Sequence, residues 1–215
     1  MRLRVSEFAD ISATGFVNLV SGRRGHFKLE SGHHSSLWLD LDALFTSSQR
    51  IDPFVDALAD ALREFDVSLV CGPLLGGAFL AQLVARALDV EFCHTERVML
   101  RDGREGQGLY NARYHLPTAF RERVRGARVA MVDDVMSAGS ALRGTCAELE
   151  ARGAIPVVTG ALLVLGTTGE SWFAARGTPV VAVAREKFDL WTPDQCPLCA
   201  AGSLPEDAAF TESRA

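Results

Sequence analysis

Short apolar runs alternate with segments whose apolar residues recur every three or four positions along most of this chain. The first periodic segment, SEFADISATGFVNLVSG, predicts an opening helix with Ser6 as N-cap and Gly22 at its end. HFKLESGHHSSLWLDLDALF then alternates apolar and polar residues around Ser31-Gly32, the pattern of a hairpin or two short strands. DPFVDALADALREF has Asp52 placed as an N-cap, Pro53 at the first helical position and apolar residues at 54, 55, 58, 61, 62 and 65, which predicts a helix. Beyond it the pattern predicts strands at 67–71, near 90–93 and at 128–133, with a helix at about 78–88 and another after Gly139. AIPVVTGALLVLG reads as a buried strand, GESWFAARG as a short helix and PVVAVA as a final strand. Strand and helix in alternation are the mark of an α/β protein with a central parallel sheet flanked by helices.

Composition narrows the class. The 215 residues are enough for a full core, and 48% hydrophobic with 23% charged residues is the balance of a soluble globular chain. A net charge of −5 provides no basic excess for nucleic acid, and RERVRGAR at 121–128 reads as a solvated turn before a strand. No apolar run reaches the roughly 18 residues of a membrane span, and MRLRVSEFAD lacks the apolar core of a secretory signal. Five cysteines, an odd number, do not form a disulfide framework in a chain of this size, so a cytoplasmic protein is expected.

The stretch RVAMVDDVMSAGSA, 128–141, carries the chemistry. The apolar run Val129–Val132 predicts a buried strand ending at Asp133 and Asp134. Ser137, Ala138, Gly139, Ser140 and Ala141 follow, and Leu142, Thr145, Cys146 and Leu149 recur at helical spacing beyond them. Ligands of parallel sheets bind past the carboxyl ends of the strands. Backbone N–H groups at a helix start, unobstructed by side chains, suit a phosphate, and Ser137 and Ser140 add hydroxyl donors. Carboxylates repel phosphate, but they accept hydrogen bonds from a sugar diol or hold Mg²⁺ against a pyrophosphate. On composition alone the stretch fits equally well a capped helix after a strand, with the acids as solvated turn residues. CGPLLGGAF at 71–79 is a second small-residue loop after a strand.

VAMVDDVMSAGSA closely resembles the 5-phosphoribosyl 1-diphosphate (PRPP) motif of the type I phosphoribosyltransferases, and two further stretches resemble the orotate branch of that family. GHFKLESGHHSSLWLD, 25–40, is similar to the hood pattern Gly-x-Phe-x-Leu-x-Ser-Gly-x-x-Ser-x-x-aromatic-x-Asp. GPLLGGAFLA, 72–81, is similar to the pyrophosphate loop, and the tail LWTPDQCPLCAAGSLPE looks like that of some bacterial members. The resemblance spans about Gly15 to Pro205 and implies the type I fold with a small N-terminal hood. It divides the chain into a helix and hood hairpin at 1–45, a PRPP-binding core at 46–190 and a tail with its CPLC motif at 191–215. It implies that Asp133 and Asp134 contact the ribose hydroxyls and that Ser137, Ala138, Gly139, Ser140 and Ala141 cradle the 5′-phosphate. Leu75, Gly76 and Gly77 would face pyrophosphate, and Phe27, Lys28, Ser31 and Gly32 the base. The implied reaction is transfer of ribose 5-phosphate from PRPP to orotate, with Mg²⁺ bound alongside PRPP, in a homodimer that shares a mobile loop across its sites.

Departures from the family pattern concentrate in its cations. The chain has two lysines, Lys28 and Lys187; Gly76 and Glu30 stand where many orotate enzymes carry lysine. The catalytic loop, placed at about 95–108, reads TERVMLRDGREGQG, with Arg97, Arg101 and Arg104 as cations and Asp102 and Glu105 beside them. Arginine neutralises a departing pyrophosphate but does not act as an acid, so Arg97, Arg101, Arg104 and Asp102 are the catalytic candidates. Read as structure alone, the segment is a solvated loop of compensating charges. Two rival functions follow: a PRPP-binding regulator without turnover, and a phosphoribosyltransferase for a purine or other base. Cys196 and Cys199 have metal-ligand spacing, but one such pair offers two of the four ligands zinc takes. A two-fold dimer would bring two pairs together; a tight turn is the simpler reading, and no residue is assigned to a metal. Cys71, Cys93 and Cys146 read as core, Trp38 and Trp191 as buried packing or a lid, and His33 and His34 as ligand contacts or a partly exposed turn pair.

Overall fold

The computed structural model describes residues 21–98 and 109–207. The opening helix lies outside them except for Ser21 and Gly22, which belong instead to strand β1 (Ser21–Lys28). β1 pairs antiparallel with β2 (His34–Asp40), with an irregularity between Arg24 and Phe27. Gly32, at φ +80°, closes the predicted turn between them in the left-handed backbone region that glycine enters without a Cβ clash.

Helix α1 (Ser48–Leu62) begins five residues before the predicted start, so Pro53 lies inside it and Asp52 is not its cap. The earlier start buries Ile51 beside Phe54, Val55, Leu58, Ala59 and Leu62. That apolar gain offsets the one helical hydrogen bond that Pro53 forgoes. β3 (Leu69–Pro73) leads into α2 (Gly76–Leu88), β4 (Glu91–Arg97) and the two-residue β5 (Tyr114–His115). β6 (Arg128–Met136), α3 (Ser140–Ala151), β7 (Ile155–Leu165), α4 (Thr168–Ala174) and β8 (Val180–Glu186) complete the core. A one-turn helix α5 (Pro197–Ala200) and the short β9 (Glu206–Asp207) follow in the tail.

The main sheet has the order β5-β4-β3-β6-β7-β8, parallel except for β5 against β4. Successive residues of the central strands point to opposite faces. Val70, Ala130 and Val132 meet Leu58, Leu62, Leu80 and Val84 from α1 and α2. Leu69, Cys71, Val129 and Met131 meet Leu142, Cys146 and Leu149 from α3 on the other face, together with Cys93. The three cysteines read as core are therefore core. The chain leaves β3 toward β4 on one side and later places β6 on the other. That reversal opens a crevice between the carboxyl ends of β3 and β6, where parallel sheets bind ligands.

β6 runs three residues past the predicted end, and Asp133 and Asp134 lie within it. The two edges of the strand end at different points. Pairing with β3 stops at Cys71↔Met131, whereas pairing with β7 continues to Met136↔Val164. The acids thus stay on a regular strand while the β3 side opens beside them. A second sheet, β2-β1-β9, stands over this opening, and Leu39 and Leu41 anchor its hairpin in the core.

Candidate functional site

A cleft of about 410 Å³ occupies the opening. Asp133, Asp134, Ser137, Gly139, Ser140 and Ala141 form its floor. Leu29, Glu30, Ser31, Leu37, Trp38 and Leu39 of the hairpin form its roof, and Leu74, Arg97, Tyr114, Leu165 and Phe188 its sides. The sequence-predicted residues are therefore sorted by the fold. The acids, most of the 137–141 loop, Ser31 and Arg97 converge. Ala138 is buried beneath the loop, Phe27 lies in the hairpin interior, and Gly32 lies outside the lining. Lys28 extends along the hood's outer edge to Asp207, 3.8 Å away. Arg101, Asp102 and Arg104 fall outside the described residues.

Gly139 caps α3 with φ +75°, which turns the chain from β6 into the helix. The first N–H groups of α3, at Ser140 and Ala141, have no carbonyl one turn earlier to bond within the helix, so they are donors available at its positive end. Gly169 donates its backbone N–H to the Ser137 carbonyl at 3.0 Å and steadies the loop from below.

The two acids are held from several directions. Asp133 accepts from the Asp134 backbone N–H at 3.1 Å, and Asp134 from that of Val135 at 2.8 Å. Gly76 and Gly77 explain the small residues of the second loop. A Cβ on Gly77 would lie 2.6 Å from the Asp133 carboxylate, and one on Gly76 would overlap Asp134. Leu75, Gly76 and Gly77 are not among the lining residues; the two glycines support the cleft by letting the helix start approach both carboxylates. Burial, then the adjacent Asp134 charge, holds Asp133 well above the ordinary carboxylate range. Burial also raises Asp134, and the Val135 N–H pulls it partly back. The pair is thus a desolvated acceptor site, suited to take hydrogen bonds from a vicinal diol.

Arg97, a predicted catalytic candidate, is grouped with Glu30 and Tyr114, which sequence reading did not assign to the site. The Tyr114 hydroxyl donates to Glu30 at 3.0 Å, and Arg97 lies 3.5 Å from the same carboxylate. Burial first, and Glu30 next, push the Tyr114 hydroxyl far above its usual range, so it stays a donor. Tyr114 sits in a strand of two residues, too short for any periodicity to mark it. His33 and His34 are both buried, at 6% and 5% exposure, and neither lines the cleft, which sets aside both readings of that pair. His33 bonds Ser31 and packs edge-on against Tyr110, while His34 turns away toward the tail.

A parallel-sheet crevice with paired buried carboxylates beside a bare helix start places the chain among α/β proteins with a ligand cleft at the carboxyl ends of their strands. Within that class, the phosphoribosyl transferase domain matches residues 49–192, and the chain belongs to the type I phosphoribosyltransferase family. The orotate phosphoribosyltransferase of Wolinella succinogenes is 30% identical over 192 residues, which cover 84% of this chain and 87% of that protein. That of Thermotoga petrophila is 31% identical over 178 residues, 83% of this chain and 86% of the relative. In fold, the chain is similar to orotate phosphoribosyltransferase from Aeropyrum pernix, with a TM-score of 0.60 at 24% identity over 80% of this chain and 92% of that one. Adenine phosphoribosyltransferase from Thermoanaerobacter pseudethanolicus gives a TM-score of 0.62 at 15% identity over 80% and 99%. The family implies PRPP and a base as substrates. Among the described residues no helix is long and apolar enough to cross a membrane.

Gly139 offers a direct check on the floor. A branched side chain at φ +75° is strained by about 1–3 kcal/mol, and its Cβ would touch Gly169 at 3.4 Å. Gly139→Val is expected to lower the melting temperature and weaken PRPP binding at least about tenfold, read by calorimetry.

Proposed function

We propose that this chain transfers the 5-phosphoribosyl group from PRPP to orotate, forming orotidine 5′-phosphate and releasing pyrophosphate. The carrying observation is the convergence of Asp133, Asp134 and the 137–141 loop in one cleft beneath the hood hairpin. The orotate relatives at 30% and 31% identity support the choice of base, while the fold itself is equally similar to adenine enzymes. A planar ring suits the roof, where Trp38 and the leucines at 29, 37 and 39 supply apolar surface. In this reading the base nitrogen attacks the anomeric carbon as the bond to pyrophosphate breaks. The acids orient the ribose, the α3 start holds the 5′-phosphate, and the hood excludes water that would otherwise hydrolyse the sugar. Oxygen donors of the Asp133–Asp134 type fit Mg²⁺, which when bound with PRPP neutralises the pyrophosphate.

The test is pyrophosphate release from PRPP and Mg²⁺ with a panel of bases. Orotate is expected to give the highest kcat/KM, and an adenine or hypoxanthine preference would replace orotate with a purine. Tight PRPP binding without release for any base would make the chain a regulator instead. We also propose a homodimer, so sedimentation is expected to give twice the 23.2 kDa chain mass.

A further inference from the structure

His26 on β1, His34 on β2 and Cys196 and Cys199 in the tail converge on one point, with one donor atom from each within 4.8 Å of all the others. His34 pairs with Lys28, and His26 lies in the irregularity of β1 just before it, with its ring packed edge-on against His34 at 4.9 Å between centroids. The cysteines share a single turn because Pro197 starts the helix between them. Backbone bonds in both directions between His34 and Trp191, at 2.8 and 2.9 Å, fasten the tail to the hairpin.

We propose that these four side chains bind one structural zinc ion. A tetrahedral site with two nitrogens and two sulfurs has edges of about 3.3 Å between nitrogens and about 3.6 Å between nitrogen and sulfur. Here His26 Nε2 and His34 Nδ1 are 3.0 Å apart. Cys196 Sγ lies 3.4 Å from His26 Nε2, and Cys199 Sγ lies 3.3 Å from His34 Nδ1 and 3.8 Å from His26 Nε2. These spacings suit a single ion and leave no room for a two-metal cluster. The second ring nitrogen of His26 faces the Ser203 carbonyl at 3.0 Å. A proton donated there leaves Nε2 bare for the metal, the outer-shell arrangement typical of ligating histidines. Two thiolates neutralise the dication, so the assembled site suits a buried position; His26, His34 and Cys196 are 7%, 5% and 3% exposed. With all four positions taken by protein, the ion joins hood to tail and does not act on substrate. The inference does not depend on the proposed reaction.

The experiment uses the full chain. Metal analysis of protein expressed with zinc is expected to find one zinc per chain. Cobalt(II) alone, added to chelator-stripped protein under reducing conditions, is expected to give the intense visible bands of tetrahedral thiolate coordination, saturating at one equivalent. Cys199→Ser is expected to lose those bands. A hundredfold excess of zinc over its dissociation constant is expected to raise the wild-type melting temperature by roughly 5–10 °C. Wild-type protein that is folded by circular dichroism yet holds no metal and shows no such bands overturns the site, as do bands unchanged in Cys199→Ser.

Discussion

Asp133→Asn and Asp134→Asn are each expected to weaken PRPP binding by roughly 10–100-fold while leaving the fold in place. The reason is the mismatch between what these carboxylates cost and what they provide. Asp133, 9% exposed, is buried against Gly77 and Asp134, and its ionisation is disfavoured in the free protein. An amide of the same shape removes that burden, so the melting temperature of Asp133→Asn is expected to hold or rise at neutral pH. The sign follows from linkage. An acid whose folded pKa is raised takes up a proton more readily folded than unfolded, so its contribution favours folding in acid and is lost as pH rises through the raised value. Ribose hydroxyls that donate to the pair favour the ionised form. PRPP binding is therefore expected to release protons, detectable as calorimetric heats that vary with the buffer's ionisation enthalpy. Affinity should decline toward acid from a pH above the ordinary carboxylate range, and Asp133→Asn should flatten that decline. Unchanged affinity in both variants would dismiss the acids as ribose ligands.

Arg97→Ala is expected to lower turnover on the order of a hundredfold while PRPP affinity changes far less. Arg97 ends β4, which runs parallel to β3, so its guanidinium lies on the same rim as the loop that leaves β3 at Leu74. Charge accumulates on pyrophosphate only as its bond breaks, so a fixed cation on this rim acts mainly in the transition state. Glu30, 3.5 Å away, limits how far Arg97 strays from the cleft. Arg97→Lys should recover part of the rate, because charge is retained and the planar donor fork is not. Steady-state kinetics beside equilibrium binding is the measurement, and Arg101→Ala and Arg104→Ala belong in the same series. Normal turnover in all three, and in the triple variant, would leave the arginines without a catalytic part.

The core was legible because each central strand is a short apolar run between helical periodicities, and burial on both faces demands that pattern. The length of β6 was not. Two adjacent acids read as a strand end, and only the unequal reach of β3 and β7 along its edges shows why they remain on the strand. Pro53 misled in a similar way: a start signal yielded to the burial of Ile51. In the cleft, the floor came from consecutive residues and was readable as a motif. The Glu30–Tyr114–Arg97 group joins residues from three separate segments, and His26 with Cys196 spans 170 positions, so local spacing marked Arg97 and the Cys196–Cys199 pair but not the partners the fold brings to them. Phe27 and Lys28 show the converse, since they lie in a hood motif yet outside the lining of the cleft.

The β1–β9 pairing places Phe27 beside Glu206. The floor is built of strand-helix-strand units, and its longer pairings, β3 with β6 and α1 against β7 and β8, all lie between Ser48 and Glu186. The hood sheet instead requires a segment made early and one made late, and such distant pairings form slowly. On a translating ribosome, with domains assembling from the N-terminal side, the floor can be complete while the roof's third strand is still unmade. For that interval the early hairpin has its β9 edge uncovered, and the hood gains its third strand only after every segment of the floor has been made.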